Sequence, residues 1–288
     1  MNNLPFLAQR LFNTPLAITP AKAEMVMAAL ADRFGITKLF RTNGQTLAIS
    51  EFGGDDSDDE PDYRYYDVVQ GIAIIPISGT LVQKSGYMRP TCGMTGYDGI
   101  RANLSMALED PAVRAIMLDI DSGGGEVAGC FDLVDAIFSA RGKKKIWAVL
   151  SESAYSAAYA IASACDQITV PRTGGTGSVG VICAHVDFSK ALEKEGVTVT
   201  MIHYGARKAD GNQYNPLSKE ALARFQSDVD QMGELFVKTV ARNRKLPVAT
   251  VRGTQAGTFL GADGVEIGFA DAVMAPDEAF RSLLAELG

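Results

Sequence analysis

The sequence has few of the residues that metal sites and covalent cross-links use. It has only four cysteines and two histidines, and the cysteines show no paired metal-ligand spacing. Each cysteine lies among apolar or small residues, which predicts buried thiols in a reducing compartment. We therefore expect no metal and no cofactor. The cysteines are Cys92, Cys130, Cys165 and Cys183.

Long apolar runs and an excess of positive charge are also missing. No stretch approaches the roughly 20 apolar residues that span a bilayer, and the amino terminus lacks the basic start and apolar run of a signal peptide. The formal net charge is −7, which argues against a general nucleic-acid-binding surface. We expect a soluble, cytoplasmic protein with neither a membrane nor a nucleic-acid partner.

The 288 residues allow one large domain or two small ones. A helix is predicted within residues 19–35, because Pro20 suits a first helical turn and Gly35 follows the last one. Residues 53–62, GGDDSDDEPD, hold six acidic residues in ten, and such a segment repels itself and cannot bury surface. We interpret residues 1–64 as an amino-terminal arm with an acidic linker, and residues 65–288 as the main domain.

Short apolar runs of strand length alternate with helical stretches from Gly71 onward. This alternation is typical of crossover connections, and it predicts an α/β fold with a largely parallel sheet covered on both faces. A long helix is predicted from Ser218 to Arg244, with Pro247 beyond its end. The expected strands are GIAIIPI, AIMLDI, IWAVL, QITV, VGVI and VTVTMIH.

Three consecutive glycines, Gly123, Gly124 and Gly125, follow the expected strand AIMLDI and precede a helix. A glycine run at this place lets backbone N–H groups turn toward an anion, which suits a phosphate or an oxyanion. The dinucleotide-binding fingerprint is matched only loosely, because Ala128 stands where its last glycine belongs. A tight strand-to-helix turn without any ligand explains the run equally well.

A second small-residue element, SESAYSAAYAIASACD at residues 151–166, carries candidate nucleophiles. Small residues after Ser156 would leave its hydroxyl accessible, and a nearby helix N-terminus would stabilise an alkoxide. A catalytic serine also needs a base, which can be a histidine or a lysine made neutral by burial. The candidate serines are Ser151, Ser153, Ser156 and Ser163, and the candidate bases are His185, His203 and Lys208.

Four motifs of the sequence, taken together and in their order along the chain, resemble the signal-peptide-peptidase family of serine peptidases. Within that family they resemble the phage head maturation proteases. The similarity extends over residues 65–275, and the amino-terminal LFNTPLAITPAKAE also resembles the phage group. The resemblance implies stacked βαβ units of the Clp protease and crotonase type, assembled into a ring. The motifs are DSGGGEVAG, SAYSAAYAIASACD, GTGSVGVICAHVDFSKALEKEGV and HYGARKADGNQYNPLS.

The resemblance also implies a role for individual residues. Ser156 matches the nucleophile and Lys208 the general base, while Gly123 and Gly124 match the oxyanion hole together with the backbone N–H of Ala157. The chain departs from many cellular members at YSAAY, because those members carry glycines directly after the serine. The residues after Ser156 stay small, so we interpret this as tolerated variation.

The implied function is that of a soluble Ser-Lys endopeptidase, and the missing membrane anchor favours head maturation over the cellular role. Its substrates would be scaffold, portal and capsid proteins, and it would act in the host cytoplasm or in the phage prohead. A fused scaffold tail, carried by some phage relatives, is not expected here.

Four alternatives remain open. One is a bacterial signal-peptide-peptidase-like protease. Another is a crotonase-type acyl-CoA enzyme that would use Glu126 and Asp121 beside the glycine turn. The third keeps the peptidase but uses His185 as the base, and the fourth is a ring-forming assembly protein without catalysis.

Overall fold

The computed structural model describes residues 14–19 and 65–288. Apart from Thr19, the helix predicted within residues 19–35 lies outside the described residues, and so does the acidic linker at residues 53–62. The described residues divide into a smaller unit, residues 14–16 and 181–235, and a larger unit, residues 17–19, 65–180 and 236–288. The predicted boundary between residues 64 and 65 stays a prediction.

Strands and helices are numbered here in chain order within the described residues. The strands are β1 (Leu16–Ile18), β2 (Asp67–Val69), β3 (Ile72–Ser78), β4 (Thr80–Val82), β5 (Met94–Gly96), β6 (Ala115–Ser122), β7 (Gly124–Glu126), β8 (Lys145–Tyr155), β9 (Gln167–Val170), β10 (Gly175–Gly177), β11 (Thr258–Leu260) and β12 (Ala272–Val273). The helices are α1 (Tyr97–Glu109), α2 (Cys130–Ala140), α3 (Ala157–Ser163), α4 (Ser189–Lys194), α5 (Lys219–Arg244), α6 (Val248–Gly253), α7 (Gly261–Glu266) and α8 (Pro276–Ala285).

A mainly parallel sheet forms the centre of the larger unit. Its strand order is β11–β10–β8–β6–β3–β2, and β9 pairs with both β8 and β12. The pairs within the sheet are parallel except at its two ends, where β2 and β11 run antiparallel to their neighbours. The predicted α/β class with a parallel sheet is therefore confirmed.

The central strands are buried on both faces, as their continuous apolar sequences predicted. Met117 and Trp147 face α8, where they pack with Ala279 and Leu283. The residues that alternate with them along β6 and β8 have no exposed surface, and α3 contacts both of these strands. Helices on the two sides thus exclude water from the strands that carry the glycine turn and the serine.

A second, small sheet in the order β1–β7–β4–β5 lies beside the glycine turn. Within it β4 runs parallel to both β5 and β7, and Leu81 of β4 pairs with Gly125 of β7. This pairing is very close, because a Cβ atom on Gly125 would stand 1.8 Å from the Leu81 carbonyl oxygen. Glycine is the residue that permits the two backbones to meet here.

The smaller unit contains α4 and the first part of α5, joined by turns and irregular chain. Two strand predictions are wrong in this part of the sequence. Residues 179–182 contain only an isolated bridge between Ile182 and Leu16, and residues 197–203 form no strand. Apart from this one bridge, their β-branched residues pair with no strand within the described part of the chain, and Val197 and Ile202 are 48% and 95% exposed.

The expectation of buried thiols holds for two of the four cysteines. Cys130 and Cys165 are buried, but Cys92 is exposed and Cys183 is half-buried. Cys92 lies in a turn with φ 52°, and turns of this kind run over the surface, where small-residue surroundings do not imply burial. Burial raises the pKa of the Cys130 thiol to about 12, so this group stays neutral.

Two kinds of feature are missing from residues 14–19 and 65–288. None of their helices has the length and apolar character needed to cross a bilayer. No three of their His, Cys, Asp and Glu side chains are grouped as ligands of a metal ion would be.

The close approach of β7 to β4 yields a test of the fold. Gly125→Ala should lower the free energy of unfolding by about 2–3 kcal/mol, because the new methyl group meets a backbone carbonyl that cannot rotate away. Gly233→Ala is the matched control, since a Cβ there meets nothing within 4 Å and alanine favours a helix. Urea unfolding followed by circular dichroism measures both changes. Equal stability of the two variants would contradict the close pairing.

Candidate active site

The carboxyl ends of two neighbouring parallel strands form the candidate active site. Strand β6 ends at Ser122, directly before the glycine turn, and β8 ends at Tyr155, directly before Ser156. Two residue steps on β6, from Ile120 to Ser122, face four steps on β8, so the end of β8 bulges. Ligands of open α/β sheets bind at such carboxyl ends.

Ser156 has a strained backbone at the junction between β8 and α3. Its φ of 55° and ψ of −122° lie outside the regions that side-chain-bearing residues normally occupy. Two hydrogen bonds hold it there: its N–H donates to the Gly177 carbonyl (2.8 Å), and its carbonyl accepts from the Ala160 N–H (2.9 Å). A serine on a strained strand-to-helix turn is typical of nucleophiles in α/β hydrolytic enzymes.

The hydroxyl of Ser156 is buried without a hydrogen-bond partner among the described residues. The other three candidate serines all use their hydroxyls. Ser151 donates to the Asp119 carboxylate, Ser153 accepts from the Gly175 N–H at 3.1 Å, and Ser163 donates to the Ala160 carbonyl at 2.7 Å. Since buried polar groups are normally paired, this hydroxyl distinguishes Ser156 from the other three candidate serines.

The glycine turn lies directly against Ser156. A Cβ atom on Gly124 would stand 2.9 Å from the Ser156 Cβ, and Gly124 has a φ of +97°. Both the lack of space and the backbone conformation therefore require glycine. The structure brings Gly123 and Gly124 together with Ser156 and the following Ala157, four of the five predicted site residues.

The backbone N–H groups of the turn are partly engaged. Gly124 N–H donates to the Ser122 hydroxyl at 3.1 Å, and that hydroxyl in turn donates to the Gly79 carbonyl at 2.7 Å. An anion bound at the turn would accept the Gly124 N–H, either together with the Ser122 hydroxyl oxygen or in its place. The role of Gly123, Gly124 and Ala157 as an oxyanion hole stays a prediction.

A buried polar cluster supports the turn from behind. The Glu126 carboxylate accepts the Gln83 N–H at 2.6 Å, and the Tyr97 hydroxyl donates to the Glu126 carbonyl at 2.6 Å. Burial raises the pKa of Tyr97 well above its ordinary value. The Cys130 thiol donates to the Ala157 carbonyl oxygen, which lies 3.8 Å from the sulfur. These groups fix the backbone at Glu126, after the glycine turn, and at Ala157, after Ser156.

Lys208, the fifth predicted residue, belongs to the smaller unit, whereas the other four belong to the larger one. It is exposed and lies in a turn, where its N–H donates to the Gly205 carbonyl at 3.1 Å. The next turn of the chain is held by an ion pair between Asp210 and Arg224. The assignment of Lys208 as a base stays a prediction.

The two histidines also belong to the smaller unit. His185 is half-buried. The pKa of Asp187 is lowered mainly by hydrogen bonds from Ser189 and to a smaller extent by His185. His203 is exposed, and its Nδ1 stands 2.9 Å from the Gly205 carbonyl oxygen. A ring nitrogen facing a carbonyl oxygen must carry the proton, which leaves Nε2 as the basic atom.

Ser178 lies near Ser156 in the structure, but the sequence analysis did not select it as a candidate site residue. It has a φ of 56° and is 9% exposed, and it directly follows Gly177, the residue that accepts the Ser156 N–H. Its own N–H donates to the Gly257 carbonyl at 2.8 Å. The signal in the sequence is the motif GTGSVG, whose glycines allow a tight turn around this serine.

Known proteins are similar to this chain over most of its length. It is 39% identical over 295 aligned residues to the head-tail preconnector protein GP5 of Enterobacteria phage P21, covering 99% of this chain. It is 39% identical over 286 residues to the capsid assembly protease C of Escherichia phage lambda, covering 97% of this chain. The chain spans 58% and 65% of the lengths of these two relatives. A putative signal peptide peptidase SppA of Enterococcus faecium is 30% identical over 62% of the chain and 52% of that relative.

The family comparison agrees with these relatives. The sequence model for peptidase family S49 matches residues 139–288, which include Ser156, Ala157 and Lys208. This confirms the resemblance that the four motifs indicated. The chain belongs to peptidase family S49.

Proposed function

We propose that the chain is a serine endopeptidase of phage capsid assembly. The observation that carries this proposal is the strained, buried Ser156, whose hydroxyl has no partner among the described residues and lies beside the glycine turn. The names of the two phage relatives support the biological role. Scaffold, portal and capsid proteins would be the substrates, in the host cytoplasm or the prohead. The finer fold expectation, stacked Clp protease and crotonase-type units, belongs to the same proposal.

The proposed reaction is acyl transfer to Ser156. Its Oγ attacks the carbonyl carbon of the scissile peptide bond, while the base removes the hydroxyl proton and later delivers it to the departing amine. Backbone N–H groups of the glycine turn and of Ala157 stabilise the oxyanion, each donor contributing roughly 3 kcal/mol. Water then attacks the acyl carbonyl carbon while the base takes its proton and delivers it to the departing Ser156 Oγ. The acyl group leaves as a carboxylic acid.

Lys208 is the proposed base, on the strength of its motif position in the family. Only a neutral amine accepts a proton, so the activity of a Ser-Lys pair depends on the fraction of Lys208 that is uncharged. Peptidase activity with His185 as the base is the competing assignment, because this histidine is half-buried in the same unit.

The acyl-CoA alternative has less support from the contacts of its carboxylates. Glu126 is 8% exposed, and its carboxylate accepts the Gln83 N–H. Its charge thus stabilises the backbone rather than facing an open site. Asp121, its suggested partner, is exposed at the end of β6. Glu126 therefore lacks the free position that proton transfer to a bound thioester requires.

Removing the nucleophile tests the proposal directly. Ser156→Ala should reduce cleavage of fluorescein-labelled casein or of a co-expressed scaffold protein by about a thousandfold or more. The fold should be retained, since the lost hydroxyl has no partner among residues 14–19 and 65–288. Ser153→Ala is the matched control and should keep most of the activity. Parent-level turnover by Ser156→Ala would refute the assignment, and an inactive parent would favour the non-catalytic assembly protein.

The base is tested by comparing the cleavage rates of three variants with that of the parent chain. Lys208→Arg keeps the charge but loses the base, because a guanidinium does not deprotonate in proteins, and its rate should fall by roughly 10²–10⁴-fold. His185→Gln and His203→Gln should each keep most of the activity. An active Lys208→Arg beside an inactive His185→Gln would transfer the role to His185.

Self-association into a ring is the last part of the proposal. The expectation of a ring comes from the family resemblance. Exposed apolar side chains of the smaller unit, among them Ile202 (95%), Leu222 (56%) and Leu235 (47%), are available for subunit contacts. Light scattering coupled to size exclusion should therefore give a mass several times the 30.7 kDa of one chain. An active preparation that contains only the 30.7 kDa species would rule out the ring.

A further inference from the structure

A short extended segment from the chain's own amino-terminal region lies beside the glycine turn. Strand β1 (Leu16–Ile18) pairs with β7 at the edge of the small sheet. The Thr19 N–H donates to the Gly123 carbonyl at 3.0 Å. The backbone of the turn is thus already hydrogen-bonded to a strand that comes from more than one hundred residues away in sequence.

This segment also reaches the surroundings of Ser156. The Ala17 carbonyl oxygen stands 2.3 Å from the place where a Cβ of Gly124 would be, and the Ser156 Cβ stands 2.9 Å from the same point. The Ala17 carbonyl and the Ser156 side chain therefore meet on one face of Gly124. Ala17 has no exposed surface and Ile18 is 5% exposed, so water and other peptides are excluded where they lie.

Extended peptides are commonly recognised by adding a strand to an exposed sheet edge, with main-chain hydrogen bonds supplying the affinity. The free edge of β7, next to Ser156, offers such a place, and β1 fills it. The sequence around β1 has prolines at positions 15 and 20, and proline cannot donate to a strand ladder. The segment thus presents a short strand rather than the start of a longer sheet.

We propose that residues 17–19 occupy the substrate position of their own chain, so that an external substrate must displace them before it reaches Ser156. This inference rests on the proposed peptidase function. The competing explanation is that β1 is a permanent structural strand. A permanent strand would be held by paired backbone hydrogen bonds of the kind that Leu16 makes. Within the smaller unit, Leu16 exchanges two such bonds with Ile182, at 2.8 and 2.9 Å.

Two substitutions weaken the segment and leave the proposed catalytic residues unchanged. Thr19→Pro removes the N–H that donates to the Gly123 carbonyl. Ala17→Arg places a long charged side chain at a fully buried position. The matched control is Thr19→Ala, which keeps the N–H. For an occluding strand the apparent affinity for substrate scales with the open fraction. The KM for fluorescein-labelled casein should then fall at least fivefold in Thr19→Pro and Ala17→Arg, with kcat within about twofold of the parent.

A binding measurement separates this inference from the proposed activity. A fluorescent peptide of sequence TPLAIT should bind Ser156→Ala/Thr19→Pro at least fivefold more tightly than Ser156→Ala, measured by fluorescence anisotropy, while a scrambled peptide should bind neither. This result stands even if no variant cleaves casein, in which case only the proposed function fails. Cleavage of the parent chain within residues 14–19, absent in Ser156→Ala, would also support the assignment.

Three results would overturn it. One is an unchanged KM in both variants of an active enzyme. Another is equal binding of the TPLAIT peptide, or none, to the two Ser156→Ala proteins. The third is loss of folding in Thr19→Pro and Ala17→Arg while Thr19→Ala folds normally, since that would make β1 a structural strand.

Discussion

The absence of a side chain at Gly124 is the constraint on which the candidate site depends. A Cβ there would meet the Ser156 Cβ at 2.9 Å and the Ala17 carbonyl at 2.3 Å, and the φ of +97° excludes most other residues. Three segments of chain meet at this point: the turn after β6, the end of β8 and the strand β1. The glycines are therefore needed for packing before any chemistry is considered. The proposed oxyanion site is built on an approach that the fold already requires.

Strain at Ser156 gives the site its second distinguishing property. A side-chain-bearing residue at φ 55° and ψ −122° costs about 1–3 kcal/mol. Its buried hydroxyl, which has no partner in the described part of the chain, costs about 1–3 kcal/mol more. Alanine would avoid the second cost with no loss of packing. A serine retained there, held by Gly177 and Ala160, is best explained by a reaction that uses the hydroxyl.

The sequence predicted the parts of the molecule that are controlled by local pattern. Strands β3, β6 and β8 are continuous apolar runs because both faces of the sheet are covered, and α5 begins at Lys219, one residue after the predicted start at Ser218. The run at residues 197–203 has the same β-branched character but forms no strand, because a strand also needs a partner, and propensity does not supply one. The choice of Ser156 over Ser151, Ser153 and Ser163 likewise came from family resemblance. What separates Ser151 and Ser153 from Ser156 in the structure is hydrogen bonding to Asp119 and Gly175, groups distant in sequence for which the sequence holds no local signal.

The departure at YSAAY now has a physical explanation. Ala157 and Ala158 are fully buried at the start of α3, and the helical backbone that begins after Ser156 suits alanine better than glycine. The positive φ that the turn requires falls on Ser156 itself, not on the residues after it. Glycine after the serine would ease close approach but would also weaken the short helix that fixes the Ser156 carbonyl through Ala160. Small size is therefore the requirement at these two positions, and alanine meets it while keeping the strained serine in place.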